Sequence, residues 1–245
     1  MSPPKLVIFD LDGTLIRRSP SVELICKGLL ESMTQDVGVQ VAVATFNQGS
    51  HGFSSGTALV RHVLDQVCDN SCARISDDFI KAWCPDAIGR DSYGKNRHIT
   101  KIIAAYVNKY KVYPKQIELV DDDPTNVYLA ENLPYVSAIW TPMGATFESY
   151  YARQSLATRV VFECDTMRKV GLMSLPTDLL KFIYFHPLSS RSHVFFLTVY
   201  LPTKNEAVVY KRIRSALTKM SANTKEIIPY HPTDHGASPA VLVAS

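Results

Sequence analysis

The first long apolar run of the chain is Leu6-Val7-Ile8-Phe9, four β-favouring residues with no polar break. A run of that kind predicts a strand covered on both faces, as in parallel α/β sheets. Three more follow, "VQVAVAT" from Val39 to Thr45, "QIELV" from Gln116 to Val120 and "VSAIW" from Val136 to Trp140. Between them apolar positions return at helical spacing and predict helices over 21–34, 56–68, 97–110 and 124–132. Asp123 ahead of Pro124 reads as an N-cap with proline in the first turn. Strand and helix in alternation predict an α/β fold, a Rossmann-like doubly wound parallel sheet.

After Trp140 a loop and a closing helix are expected in "TPMGATFESYYARQSL", and the alternation then fades near Thr158. The chain is accordingly divided into a domain over 1–158 and a C-terminal α+β appendage over 159–245. In the appendage the pattern predicts a short helix stopped by proline in "LPTDLLKFIYFHP", a strand in "HVFFLTVYL", an amphipathic helix in "NEAVVYKRIRSALTKM", and strands in "EIIPY" and "AVLVA".

With 245 residues, 46% of them hydrophobic and 20% charged, the chain can bury a sizeable core, which excludes extensive disorder. Its net charge of +3 permits nucleic-acid binding without indicating it. Basic residues cluster only around Lys211, Arg212 and Arg214, where a solvated helix face is the default reading. Five cysteines, an odd number, together with no leader pattern, predict a reducing, cytoplasmic setting without a disulfide framework. The run "VFFLTVYL" is too short to cross a bilayer, so a soluble chain with no membrane partner is expected. Cys68 and Cys72 lie four apart but lack a second ligand pair at metal spacing, and His231 and His235 stand in a loop-like stretch, so zinc is not expected at either place.

Candidate chemistry gathers at the carboxyl ends of the predicted strands, where open α/β sheets bind ligands. Asp10 and Asp12 follow the first strand, and an extended backbone through Asp12 points both side chains the same way. Gly13 then supplies a turn. Two carboxylates on one face require a cation. Thr45 closes the second strand, Lys95 precedes a helix, and "VDDDPTN" puts Asp121 and Asp122 after the "IELV" strand. Together these are the parts of a phosphoryl-transfer site. Asp10 is the candidate nucleophile and Asp12 the general acid and base; Thr45 and Lys95 hold phosphate oxygens, and the remaining carboxylates are oxygen ligands suited to Mg²⁺. Lys101 is the rival to Lys95, but it falls a turn inside the helix. His98 reads as a packing residue or one that orients Lys95, and Asn126 as a brace for the acidic loop. "GSHGFSSG" lacks the spacing of a phosphate-binding loop and reads as a loop beside the site.

In these motifs the chain resembles the haloacid dehalogenase (HAD) superfamily of phosphohydrolases. "DLDGT" from Asp10 resembles its first motif, the apolar strand ending in Thr45 its second, Lys95 its third, and "DDDPTN" from Asp121 its fourth. The resemblance covers roughly residues 5–158. It implies a magnesium-dependent phosphomonoester hydrolase that works through an aspartyl-phosphate on Asp10, with Asp12 as acid and base. It also implies a metal site on Asp10, Asp12 (through its backbone carbonyl) and Asp121, with Asp122 as a further or alternative ligand. "GKNRHI" before "VDDDPTN" is similar to the small magnesium-dependent subgroup with a small or absent cap. An open site of that type implies a bulky phosphorylated substrate, a phosphoprotein or similar. Two alternatives stay open at this stage, a phosphatase of nucleic-acid ends and a non-catalytic binding module on the same fold.

Overall fold

A computed structural model describes residues 3–17, 19, 21–25, 27–67, 75–82, 94–153, 156–165, 183–186, 194–202, 206–220 and 225–230. The chain divides into two compact units, Met1–Ser155 and Leu156–Ser245.

The first unit is a five-stranded sheet, every neighbouring pair parallel, in the order β3-β2-β1-β4-β5. Its strands are β1 (Lys5–Phe9), β2 (Val39–Thr45), β3 (Ile80–Ala82), β4 (Ile117–Asp121) and β5 (Val136–Trp140). Helices α1 (Lys27–Gln35), α2 (Gly56–Val67), α3 (Asn96–Tyr110), α4 (Pro124–Ala130) and α5 (Phe147–Ala152) connect or close it. This is a Rossmann-like α/β arrangement. α1 packs on α2, and α3 on α4. Right-handed crossovers put the two pairs on opposite faces, because the chain moves outward from β1 to β3 and then returns past β1 to β4. β1 is the central strand, and Leu6, Val7, Ile8 and Phe9 are all fully buried. That double burial is why their run shows no alternation.

The first connection departs from the expected helix over 21–34. Helix α1 starts only at Lys27. Upstream of it Ile16 bridges Leu24 in antiparallel fashion, Arg17 N donates to Glu23 O at 2.8 Å and Ile25 N to Leu15 O at 2.8 Å. Backbone partners offered by the turn after β1 outcompete the helical bonds that residues 21–25 would otherwise make. The strand β3 and the short 3-10 turn before it (Asp77–Phe79) were not anticipated, since three residues are too few to show a period. The acidic N-cap is present: Asp123 Oδ1 accepts from Thr125 N at 2.8 Å.

The second unit is a four-stranded antiparallel sheet, β7-β8-β6-β9, with strands β6 (Leu156–Asp165), β7 (Ile183–His186), β8 (Val194–Pro202) and β9 (Lys225–Tyr230). Helix α6 (Glu206–Met220) packs on β8 through a face that includes the buried Ile213. Lys211, Arg212 and Arg214 lie on its exposed side. β6 begins before Thr158, so the apolar run "LATRVVFECD" is a strand that the fading alternation concealed. Residues 183–186 form a strand rather than part of the expected short helix, because Tyr184, Phe185 and His186 pair with β8. The rest of that helix, the "AVLVA" strand, Cys68, Cys72, His231, His235 and residues 83–93 lie outside the described residues. Among the described residues no helix is long and apolar enough to cross a membrane.

Candidate active site

The order of strands reverses between β1 and β4, and in open α/β sheets the crevice at such a switch point is where ligands bind. The register Phe9↔Val120 continues one residue further through a 2.9 Å bond from Asp10 N to Val120 O. Asp10 and Asp121 are thereby set side by side at the carboxyl edge. Asp10 is nearly buried and Asp121 wholly so.

Lys95 stands between them. Its Nζ forms an ion pair with Asp10 Oδ1 and lies 2.8 Å from Asp121 Oδ2, with only 1% of the residue exposed. Burial works against the ammonium charge, but the attraction of Asp10 and then Asp121 outweighs it and raises the Lys95 pKa. Burial pushes the Asp121 carboxyl well up; Lys95 pulls it back, while Asp10, Asp123 and Asp122 push it up again. Asp121 is also held by Asn126 Nδ2, 3.1 Å from Oδ2 and 3.2 Å from Oδ1, and by Asp123 N, 2.8 Å from Oδ1. The lysine reaches this place because it directly precedes α3, whose first residue is Asn96. Lys101, a turn and a half along the helix, is exposed.

β1 ends at Phe9, so Asp12 does not continue the strand as expected. The chain bends at Leu11 and turns at Gly13, whose φ is +89°. A Cβ built at Gly13 would lie 2.3 Å from Asp122 Oδ2, so the turn passes directly against that carboxylate. Thr14 Oγ1 accepts from Asp122 N at 3.0 Å and is 3.4 Å from both Asp10 Oδ2 and Asp122 Oδ1. Asp12 still reaches the same cleft, a space of about 160 Å³ lined by Asp10, Asp12, Thr45, Phe46, Asn47, Lys95, Asp122, Asp123 and Asn126. Thr45 Oγ1 accepts from Asn47 N at 3.1 Å, which leaves its hydroxyl proton to be donated.

Carboxylate oxygens of Asp10, Asp121 and Asp122 lie within 4.8 Å of one another, so these three side chains could hold a metal ion. Among the described residues lining the cleft, four carboxylates face one ammonium, with Asp121 buried behind them. That excess of negative charge, carried by oxygen donors alone, suits a hard divalent cation. The Asp12 side chain stands outside the triad.

Of the sequence-chosen residues, Asp10, Asp12, Thr45, Lys95, Asp121 and Asp122 all meet here. His98 does not line the cleft. It is buried edge-on against Phe46 with ring centroids 4.9 Å apart, and neither ring nitrogen has a hydrogen-bond partner among the described residues. Burial, then the positive charges of Lys95 and Lys101, lower its pKa to about 4, opposed by the Thr45 backbone, so the ring is neutral. Thr14 and Asn47 carried no assigned role from sequence. Their signal was positional: Thr14 follows Asp12 by two residues and Asn47 follows Thr45 by two.

No protein-family model matches this chain, and no curated protein matches it either.

Proposed function

We propose that the chain is a HAD-type, magnesium-dependent phosphomonoester hydrolase. The single observation that carries this proposal is the convergence of Asp10, Asp121 and Asp122 around Lys95 at the switch point, with Asp12 and Thr45 on the same cleft. Asp10, Asp121 and Asp122 would hold Mg²⁺, which would supply charge neutralisation and Lewis-acid polarisation of the phosphoryl group.

An Asp10 carboxylate oxygen attacks phosphorus, and the bond to the ester oxygen breaks as Asp12 hands that oxygen its proton. Asp12 then takes a proton from the water that attacks the aspartyl-phosphate, which releases inorganic phosphate, frees the Asp10 carboxylate and returns Asp12 to its protonated form. Lys95 holds Asp10 in place and offsets charge on the transferring group, and the Thr45 hydroxyl donates to a phosphate oxygen. The cleft is smaller than the roughly 300–1,000 Å³ of sites that enclose a whole small molecule. It fits a phosphoryl group presented by a larger molecule, such as a phosphoprotein.

The test is turnover of chromogenic, peptide and oligonucleotide phosphomonoesters by the full chain with magnesium and with chelator. Asp10→Asn is expected to lower kcat by at least about 10³-fold while the fold survives. Equal turnover by the variant and the parent would remove the proposal.

A further inference from the structure

Asn47 lines the cleft and its side chain bonds directly to Asp12. Its Nδ2 donates to Asp12 Oδ2 at 3.0 Å and Oδ1 at 3.3 Å, and also to Ser50 Oγ at 3.1 Å. Its Oδ1 accepts from Gly49 N at 2.8 Å. Both ends of the amide are thus engaged and the plane of the group cannot rotate without losing bonds. Gly49 makes this turn possible: its φ is +129°, and a Cβ there would lie 2.7 Å from Phe53 O and 2.9 Å from Ser55 N. The chain after β2 therefore folds back on itself and aims one amide hydrogen at the Asp12 carboxylate.

Asp12 needs such a brace. It lies past the end of β1, beyond the sheet ladder that orients Asp10, and has no part in the acidic triad. A general acid must sit within hydrogen-bond reach of the leaving oxygen, and an unconstrained carboxylate samples rotamers that miss it. We infer that Asn47, held by Ser50 and Gly49, is the positioning residue for Asp12, and that the loop after β2 thereby governs protonation of the leaving group. This rests on the proposed phosphomonoesterase reading and adds a role to a residue that reading leaves idle.

Protonation of the leaving oxygen matters for an alkyl ester and hardly at all for an activated aryl ester, whose departing phenolate is stable. The experiment is therefore kcat/KM of the magnesium-loaded full chain on a phosphoserine peptide and on dinitrophenyl phosphate, for the parent, Asn47→Ala and Ser50→Ala. Asn47→Ala is expected to lose about 10- to 100-fold on the peptide and less than about 3-fold on the aryl ester. Ser50→Ala should move the same way by a smaller factor. It also serves as the readout if Asn47→Ala, checked by thermal unfolding, proves unfolded. Equal losses on both esters in a folded variant would overturn the positioning role and leave the phosphatase reading intact. A parent protein inactive on both esters with magnesium would overturn the phosphatase reading itself, and this inference with it.

Discussion

Two buried ionisable side chains at the start of α3, one charged and one neutral, show how the surroundings set the charge state. Lys95 is kept charged by Asp10 and Asp121, and His98 is kept neutral by burial and by the two lysines near it. The histidine has a consequence for stability. Its folded pKa of about 4 lies below the ordinary histidine value of 6.5, so between those limits the unfolded chain binds the proton and the folded chain does not. Stability contributed at neutral pH is therefore lost as pH falls from about 6.5 towards 4, with a slope of up to about 1.4 kcal/mol per pH unit and a total of roughly 3 kcal/mol. Denaturant unfolding across that window should show the slope in the parent chain and a flatter profile in His98→Leu. Parallel profiles would mean that another group dominates.

At the scale of elements, the site is assembled by the ends of strands and the starts of helices. α4 is the clearest case, because its N-cap and its third residue both belong to the acidic loop. Asp123 caps Thr125 N, and Asn126 donates to both oxygens of Asp121. Asp123→Ala should cost about 1 kcal/mol in unfolding free energy. It should also weaken cation binding measured by calorimetry, since the frayed first turn no longer holds Asn126 against Asp121. A variant with lowered stability and unaltered cation affinity would separate the cap from the site. This helix was legible in the sequence because Asp-Pro is a strong start signal. The start of α1 was not, because residues 21–25 carry apolar positions that suit a helix while their backbone is captured by Leu15 and Arg17. Competition from residues distant along the chain is invisible to a local period.

At the scale of the first unit, Glu118 ties its beginning to its end. Fully buried on β4, it is paired with Lys5 of β1 at 2.9 Å and Arg153 just after α5, and it accepts from Tyr150 of α5 and Gln116 Nε2. Burial alone would raise its pKa, but the bonds from Tyr150, Arg153 and Lys5 outweigh that and lower it below 4.5. The stability it contributes is present above pH 4.5 and is lost as pH falls through the depressed folded value. Glu118→Gln should cost about 1 kcal/mol, because Lys5 and Arg153 are partly exposed and water replaces much of the lost counter-charge, and it should flatten the acid limb below pH 4.5. Unchanged midpoints in an acid titration would show the network to be dispensable. Nothing in "QIELV" announced this role, since one glutamate in an apolar strand reads equally well as a solvent-facing residue. What the sequence by itself determined is the set of strands buried on both faces and the polar residues at their ends, because unbroken apolar runs and strand-end chemistry are local patterns. Only the tertiary structure decided which of those residues meet. The reversal of strand order sets Asp10 beside Asp121, the turn at Gly13 brings in Asp122, and the loop after β2 returns Asn47 to Asp12. Each of these contacts joins residues far apart in the chain, where spacing along the sequence carries no information about distance in space.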